Sequence, residues 1–354
     1  MNTRTMLRNA SRARIPLRIP KPPFSHTSMA TSPPITLKDI VAARQRIAPW
    51  LSPTPLRHYP LLDELVGHGV RVLVKHENHN PVNSFKVRNG LAALTALPMD
   101  VASRGVAAAS TGNHGQGVAF AGHKLGVPVT ICVPRGNNPE KNAAIRALGA
   151  TLVEIGANYD ESVHACAEIA QRNGLTILHS TNNRDVLAGA GTLSLELLEQ
   201  APEVSAMVIA VGGGSQAIGA ITAASEMKPS LRVFGAQSRE APAQYESWKA
   251  RQRLAPMVSC TFAEGIATTV AYELTFDQLC NGLAGFVTVP DADIAQAVRD
   301  LWRVTHNLIE GAGAVGFAGL QAMAAELRGE TVAVVLSGGN LSSELAVKIL
   351  AGEL

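Results

Sequence analysis

The sequence predicts an α/β fold with a largely parallel sheet. Short β-branched runs of strand length alternate with longer amphipathic stretches, and most of these runs end in a polar or glycine-rich cluster. This alternation is typical of βαβ units, in which a helix connects two parallel strands. Composition agrees, since 46% of the residues are apolar and only 4% are aromatic. Because parallel sheets bind ligands at the carboxyl ends of their strands, the polar clusters there are the candidate functional positions.

The predicted strands and helices follow one another in a regular order. In chain order the strands are VRVLVKHE, GVAAAST, PVTICVP, ATLVEIG, LTILHST, SAMVIAVGGG, LRVFGAQS and TVAVVLSGGN. Helical periodicity is found in NHGQGVAFAGHKLG, NPEKNAAIRALG and DESVHACAEIAQRNG. The length of 354 residues favours about two domains.

The charge distribution argues against a nucleic-acid partner. The net charge is +3, but residues 1–34 contain five arginines, one lysine and no acidic residue. The remainder has 25 basic against 28 acidic residues, so it lacks the excess of positive charge that binds phosphate backbones. Residues 1–34 are interpreted as a disordered or leader extension, although their Arg- and Ser-rich composition also resembles a transit peptide.

The remaining bulk features predict a cytoplasmic protein without a membrane segment. No run reaches the roughly 18 apolar residues that a membrane span requires. The four cysteines are scattered without a Cys-x-x-Cys pair, which fits a reducing compartment. The histidines show no metal-ligand spacing, so no catalytic metal is predicted.

The first polar cluster, NPVNSFKVRNG at residues 80–90, contains Lys86 directly after Phe85. A lysine near a turn is usually a solvated surface charge. When burial lowers its pKa, however, the amine becomes a nucleophile and a base. Taken alone, this cluster leaves both interpretations open.

The second cluster, STGNHGQG at residues 110–117, opens a predicted helix. Five hydrogen-bonding side chains fall within seven positions there, an arrangement suited to binding a carboxylate. A simple N-cap by Ser110 or Thr111 would need only one of them.

Two more strand ends carry candidate sites. GGGSQAIGA, at residues 212–220, combines glycines that allow close approach with the start of a helix, which suits a phosphate group. It also contains Gly-x-Gly-x-x-Ala, so a dinucleotide site and a plain tight turn are the alternatives. LSGGN, at residues 336–340, places the neutral hydroxyl of Ser337 beside two glycines.

The order SFKVR, STGNHGQG, GGGSQAIG and SGGN resembles the fold type II pyridoxal-phosphate enzymes. Among them it resembles the serine/threonine dehydratase (ammonia-lyase) family, which is related to serine racemase. The resemblance begins at Thr54 and extends to SGGN. It implies a two-domain fold similar to the tryptophan synthase β chain, each domain an open, mostly parallel sheet flanked by helices. The expected large cofactor-binding domain comprises residues 35–98 and 183–354, and the expected small mobile domain comprises residues 99–182.

The resemblance also implies a role for each motif. Lys86 would form the Schiff base with pyridoxal 5'-phosphate and then act as the base for the α-proton, with Phe85 packed beside the cofactor ring. Asn113 would donate to the phenolic oxygen, and Ser337 would face the pyridine nitrogen. The cofactor phosphate would be held by Gly212, Gly213, Gly214 and Ser215. The substrate carboxylate would be held by Ser110, Thr111, Gly112, Asn113 and His114.

Several positions depart from the family pattern. Asn83, Asn89 and Ser215 replace glycines that are usual there, which puts the loop geometry in question. Thr111 replaces the serine that serves racemases of the family as the base on the opposite face; it is the second candidate catalytic residue, and its extra methyl disfavours racemisation. The family's divalent-cation site is expected to be lost or altered, because its positions are occupied by Gln237, Pro242 and Ala243.

The predicted activity is the removal of water and ammonia from an L-3-hydroxy amino acid to give a 2-keto acid. A serine rather than a carboxylate at the pyridine nitrogen favours prompt loss of the β-substituent. Threonine, serine and bulkier analogues such as 3-phenylserine are the expected substrates. The alternatives are an amino-acid racemase and a hydroxyectoine-pathway dehydratase of the same family. An NAD-dependent dehydrogenase fits poorly, because it needs an acid at the end of the next strand and the nearby Glu226 precedes the strand LRVFG. The resemblance further implies a homodimer or homotetramer.

Overall fold

The structure is a computed structural model that describes residues 33–354. The predicted leader, apart from its last two residues, lies outside the described residues. Within them the strands, in chain order, are β1 Leu56–His58, β2 Arg71–Lys75, β3 Val106–Ala109, β4 Val129–Val133, β5 Thr151–Glu154, β6 Thr176–Ile177, β7 Ala206–Ala210, β8 Arg232–Ser238, β9 Gly285–Val289 and β10 Thr331–Val335.

The helices cover most of the connections between these strands. In chain order they are α1 Leu37–Ile47, α2 Pro60–Val66, α3 Lys86–Ala96, α4 Met99–Ala102, α5 Asn113–Leu125, α6 Pro139–Ala147, α7 Tyr159–Asn173, α8 Arg184–Gln200, α9 Ser215–Met227, α10 Ala243–Ala250, α11 Glu273–Gly282, α12 Asp291–Thr305, α13 Gly311–Met323 and α14 Ser343–Ala351. Short 3-10 helices span Glu77–His79 and Glu264–Ile266.

The helix boundaries follow local sequence signals. Asn138 caps α6 by accepting the N–H groups of Glu140 and Lys141, and Pro139 occupies the first helical position, where its missing N–H costs nothing. Gly126 ends α5 in the left-handed conformation that glycine adopts most easily. These signals hold α5 and α6 in the positions that the candidate site requires.

The strands form two sheets. The larger has the order β1-β2-β10-β7-β8-β9, and the smaller has the order β5-β4-β3-β6. All pairings are parallel except that between β1 and β2. The carboxyl ends of β2, β7 and β10 therefore lie along one edge of the large sheet, and the candidate clusters follow these strands and β3.

Both faces of the large sheet are covered by helices. Along β2, Val72 and Val74 pack into a core that includes α12 and α13, whereas Leu73 packs into a second core that includes α1, α3, α8 and α9. Successive residues of a strand point to opposite faces, so a strand buried on both sides is apolar throughout. This arrangement explains why the strands read as continuous apolar runs.

The predicted α/β class with mostly parallel sheets is confirmed. The strand GFVTV, which forms β9, and the three-residue β1 were not predicted. The strands of the small sheet lie inside residues 99–182, but the domain boundaries and the mobility of that segment stay predictions. In residues 33–354 no helix has the length and apolar character of a membrane span.

Candidate active site

Lys86 is the first residue of α3, at the turn that follows β2. Its Nζ lies 3.4 Å from the carbonyl oxygen of Ser180 and 5.0 Å from the centre of the Phe85 ring. Burial lowers the pKa of the Lys86 amine to about 8, and no carboxylate offsets this effect. The amine is therefore partly unprotonated near neutral pH.

The turn before Lys86 depends on Asn83. Asn83 has a φ of 52°, in the left-handed region, which explains why this position suits glycine and tolerates asparagine. Its carbonyl accepts the N–H of Gly339 at 2.9 Å, and the N–H of Phe85 donates to the carbonyl of Ser337 at 3.0 Å. The SGGN loop is thereby fixed directly beside the lysine turn.

A buried ion network anchors α3 below Lys86. The Arg88 guanidinium donates to Glu77 at 2.7 Å and to Glu196 at 2.6 Å, and Lys75 Nζ donates to Glu196 at 2.9 Å. Each of the four side chains is less than a tenth exposed. Two buried cations and two buried anions leave no net charge. Removal of one of these side chains would therefore leave a buried charge without a counter-ion.

The other departure in this motif, Asn89, lies in the same helix. Its side chain is fully buried, and neither its amide nitrogen nor its oxygen has a hydrogen-bond partner among the described residues. Nothing in the structure explains why asparagine stands here.

The predicted carboxylate loop lies between β3 and α5. Ser110 Oγ accepts the N–H groups of Gly112 at 3.3 Å and Gly115 at 2.9 Å, which holds the loop in shape. Gly112 is the N-cap of α5, and the N–H groups of Asn113 and His114 donate to no group of residues 33–354. Two free donors at the start of a helix form an anion site.

His114 faces inward rather than towards an anion. Its Nε2 lies 2.9 Å from the carbonyl of Leu178, which can only accept, so Nε2 carries the proton and the buried Nδ1 is an acceptor without a partner. Burial, and then the charge of Lys86, lower the pKa of His114 to about 3, so the ring is neutral. The predicted contribution of His114 to a carboxylate clamp thus falls to its backbone N–H.

Thr111 is held by its backbone. Its carbonyl accepts from Asn137 Nδ2 at 3.2 Å, and its hydroxyl forms no hydrogen bond within the described residues. The hydroxyl of Thr111 is therefore available to a ligand.

The glycine loop after β7 has the shape of an anion cradle. The N–H groups of residues 212–217 donate to no group of residues 33–354, and Gly214, with a φ of 95°, is the N-cap of α9. A Cβ on Gly213 would lie 2.1 Å from Thr181 Oγ1, so no larger residue fits there without a shift. The loop therefore offers several convergent donors at the positive end of a helix.

Close helix packing brings these parts together. A Cβ on Gly117 of α5 would lie 2.3 Å from the carbonyl oxygen of Lys86, and one on Gly90 of α3 would lie 2.3 Å from that of Gly117. Only glycines allow the two helices to approach so closely. Contact between the helices places the carboxylate loop beside Lys86.

Asn113 connects the carboxylate loop to the SGGN loop and to a glutamate that the sequence interpretation missed. Its Nδ2 donates to Glu310 Oε1 at 2.6 Å, and its Oδ1 accepts from Asn340 at 2.7 Å. Burial raises the pKa of Glu310. Ser337 is buried close by, and its hydroxyl has only a long contact of 3.5 Å, with the Ala312 carbonyl.

Lys141 is a second residue of the site that sequence interpretation missed. A Cβ on Gly112 would lie 3.4 Å from its Cδ, and its ammonium pairs with Glu264. Lys141 lies in NPEKNAAIRALGA, whose periodicity indicated only a helix; the position of Glu310 before the glycine-rich α13 gave no signal either. Only tertiary contacts place these residues at the site.

The three residues that replace cation ligands are found near the end of β8. Gln237 Oε1 accepts the N–H of Tyr245 at 3.0 Å, Pro242 is the N-cap of α10, and Ala243 is its first residue. No group of three or more metal-ligating side chains occurs in residues 33–354. The loss of a divalent-cation site stays a prediction.

Comparisons with known proteins agree with this arrangement. The family "Pyridoxal-phosphate dependent enzyme" matches residues 47–338. The L-threonine ammonia-lyase of Thermotoga maritima is 34% identical over 316 residues, which cover 89% of this chain and 78% of that protein. Processed threonine deaminase isoform 2 of Solanum lycopersicum superposes with a TM-score of 0.85 at 29% identity, covering 89% of this chain and 92% of that one. Maize serine racemase superposes with a TM-score of 0.83 at 26% identity, covering 90% of this chain and 97% of that one.

The chain belongs to the pyridoxal-phosphate dependent enzymes, and within them to the serine/threonine dehydratase group of fold type II. The predicted family, fold and cofactor are thereby confirmed. The residues present also fit the cofactor. The free N–H groups of residues 212–217 suit its phosphate, and the unpaired amine of Lys86 suits its aldehyde. Asn113 and Ser337 would meet its ring.

Proposed function

We propose that this enzyme removes water and ammonia from an L-3-hydroxy amino acid and releases a 2-keto acid. The observation that supports this most strongly is the Lys86 amine, whose pKa burial lowers to about 8 and which pairs with no carboxylate of residues 33–354. Two sets of free N–H donors are connected to it, because α3 packs against α5 at Gly117 and because Ser180, which contacts the amine, precedes Thr181 beside Gly213. One set, at residues 212–217, suits a phosphate, and the other, at the start of α5, suits a substrate carboxylate. Relatives named threonine ammonia-lyase and threonine deaminase support the same reaction.

The reaction needs one base and one anchor from the protein. When bound, pyridoxal phosphate supplies the electron sink for negative charge at the α-carbon. The N–H groups of Asn113 and His114 hold the carboxylate, and the Lys86 amine, with a pKa of about 8, takes the α-proton. The β-hydroxyl then leaves as water. A water molecule taken up later releases ammonia, so the net products are a 2-keto acid and ammonia.

Ser337 and Glu310 set the electrostatics of the site. Ser337 brings a neutral hydroxyl, which does not stabilise a protonated pyridine nitrogen as a carboxylate would. Glu310, whose pKa is raised by burial, accepts a hydrogen bond from Asn113 and so orients its amide. With a weak electron sink, loss of the β-hydroxyl is favoured over a long-lived carbanion.

A racemase is the second candidate. The unpartnered hydroxyl of Thr111 and the similarity to maize serine racemase favour it. Racemisation needs a second acid or base on the face opposite Lys86, and a threonine hydroxyl beside the carboxylate loop would have to fill that role. We propose elimination as the main reaction. We further propose a cytoplasmic homodimer or homotetramer as the working form.

A panel of 3-hydroxy amino acids tests the proposal. The pyridoxal-phosphate-loaded protein is incubated with L-serine, L-threonine, both diastereomers of L-3-phenylserine and a hydroxyectoine-derived 3-hydroxy amino acid. Ammonia and 2-keto acid are measured together with the product of inversion at the α-carbon, which is D-serine for L-serine and the α-epimer for the other substrates. We expect ammonia and keto acid in equal amounts from at least one substrate, with less of its inverted product.

The matched variants are Lys86→Ala and Lys124→Ala. Lys86→Ala should reduce turnover by a factor on the order of 10³ or more, because the base is lost. Lys124 is exposed on α5, so its replacement should leave turnover unchanged. Release of the product inverted at the α-carbon without keto acid would favour the racemase instead, and no reaction with any substrate would refute both.

A further inference from the structure

Two aromatic side chains beside Lys86 have no part in the roles above. His179 directly precedes Ser180, whose carbonyl oxygen lies 3.4 Å from Lys86 Nζ. The His179 and Tyr272 rings meet edge to face, with their centres 5.4 Å apart and their planes at 71°. The amide of Asn182 accepts the N–H of Leu274 at 3.4 Å, which ties this segment to the start of α11. The pair is thus a fixed wall next to the reactive amine.

A third ring approaches this wall from the small sheet. Tyr159 opens α7, and its hydroxyl lies 3.4 Å from the carbonyl of Ala109, the residue directly before the carboxylate loop. Tyr272 interacts electrostatically with the Tyr159 phenol and raises its pKa. Asp160 raises the pKa of both phenols. Tyr159, which is 39% exposed, therefore lies against the residue before the carboxylate loop, while His179 directly precedes the residue that contacts Lys86.

The His179 ring is electrically neutral. Its Nδ1 accepts the N–H groups of Thr181 at 2.9 Å and Asn182 at 2.8 Å, so the ring proton is on Nε2. Burial, and then the charge of Lys86, lower the pKa of His179. The ring offers a flat face and one N–H donor, and it cannot act as an anion-binding cation.

The two tyrosines are neutral as well. Burial raises the pKa of both phenols, and Asp160 raises them further. The cation that lies against this loop at Gly112, Lys141 of α6, is already paired with Glu264. The wall therefore suits an uncharged, flat substituent rather than an acidic one.

We propose that His179, Tyr272 and Tyr159 form the subsite for the substrate side chain, and that they select an aryl group at the β-carbon. This inference rests on the proposed function, since it names the substrate class of the same site. With its carboxylate at the start of α5 and its α-carbon near Lys86, the substrate directs its remaining substituent into the space between the rings. Aromatic rings stack edge to face or offset on one another, whereas the methyl of threonine contacts little of such a wall. The 3-phenylserine class is the substrate that the cluster fits.

The test compares kcat/KM for L-3-phenylserine and L-threonine in the holoenzyme. The wild-type enzyme should prefer 3-phenylserine by a factor of about ten or more. Tyr272→Leu and Tyr159→Leu should each lower kcat/KM for 3-phenylserine on the order of tenfold, mainly through KM, and change that for threonine by less than about threefold. Tyr272→Phe retains the ring and should retain the preference.

Tyr59→Leu is the matched control, because Tyr59 contacts His76 outside the site and should leave the ratio unchanged. Equal losses for both substrates in Tyr272→Leu, or a loss in Tyr272→Phe as large as in Tyr272→Leu, would overturn the subsite. So would a wild-type preference for threonine or serine, although the proposed function would then stand. A wild-type enzyme that releases ammonia from no 3-hydroxy amino acid would instead refute the proposed function.

Discussion

Lys75 and Lys86 differ in the hydrogen-bond partners of their ammonium groups. Lys75 is fully buried, and its ammonium donates to the Thr54 carbonyl, to Glu196 and to Gln200 at 2.8–2.9 Å. Within the described residues the Lys86 ammonium makes one hydrogen bond, at 3.4 Å, to a carbonyl. Burial lowers the pKa of both amines, but the carboxylates of Glu196 and Glu77 offset part of this effect at Lys75, whereas no carboxylate of residues 33–354 offsets it at Lys86. This contrast is why Lys86, and not Lys75, is the candidate nucleophile.

The lowered pKa of Lys86 predicts how cofactor capture depends on pH. Only the unprotonated amine attacks the cofactor aldehyde, so the capture rate of cofactor-free protein should rise about tenfold per pH unit below 8. Above about pH 8 the rate should level off, because most of the amine is already unprotonated. Stopped-flow absorbance of the bound cofactor measures this rate. A rate that keeps rising to the ordinary lysine pKa of 10.5 would contradict the account.

Individual residues show what sequence could and could not predict. The motif order identified Lys86, and Asn83 was noted as a departure from glycine, but only its φ of 52° shows that the backbone there is left-handed. Glu310 and Lys141 went unnoticed because their partners are distant in sequence. The tautomer of His114 follows from a carbonyl 64 residues away, which no local pattern reveals.

At the scale of elements, the strand–loop–helix unit β7–α9 was the most predictable part of the site. Its apolar run, its glycines and its helix start are contiguous, so an anion-binding loop could be predicted from one segment, and its use for the cofactor phosphate stays a prediction. The contact between α3 and α5 was not predictable, since it depends on Gly90 and Gly117 meeting across two segments. Site residues that are contiguous in sequence can be predicted together, whereas the approach of two distant segments depends on tertiary packing.

Gly213→Ala tests the cradle. The added Cβ would lie 2.1 Å from Thr181 Oγ1 and 3.0 Å from Thr181 Cβ, so the loop or the Thr181 side chain must shift to relieve the contact. Such overpacking costs about 1–3 kcal/mol, and we expect the Kd for pyridoxal phosphate to increase about tenfold or more. Fluorescence titration of the cofactor-free protein measures the Kd.

A double variant separates the clash from other effects of Gly213→Ala. Thr181→Ala removes the oxygen that the new methyl would meet, so the pair Gly213→Ala with Thr181→Ala should recover part of the lost affinity. If the loss of affinity in the double variant equals the sum of the losses in the two single variants, the close approach at Gly213 does not shape the cradle.

At the scale of the whole molecule, the candidate site lies where the helices that follow β3 and β4 of the small sheet contact loops beside the large sheet. From the start of α6, Glu140 accepts the N–H of Ser343, and Lys141 pairs with Glu264. Asn113 joins the same two parts through Glu310 and Asn340. The division into residues 35–98 with 183–354 and residues 99–182 stays a prediction, and so does movement of one part against the other.

Borohydride reduction of the pyridoxal-phosphate-loaded protein, followed by peptide mass mapping, tests the central claim most directly. The account predicts one reduced cofactor per chain, attached to Lys86, and none in the Lys86→Ala variant. Lys124→Ala should be labelled like the wild-type protein. Cofactor fixed to another lysine such as Lys75 or Lys141, or keto-acid release that survives in Lys86→Ala, would contradict the assignment of Lys86 as the reactive amine.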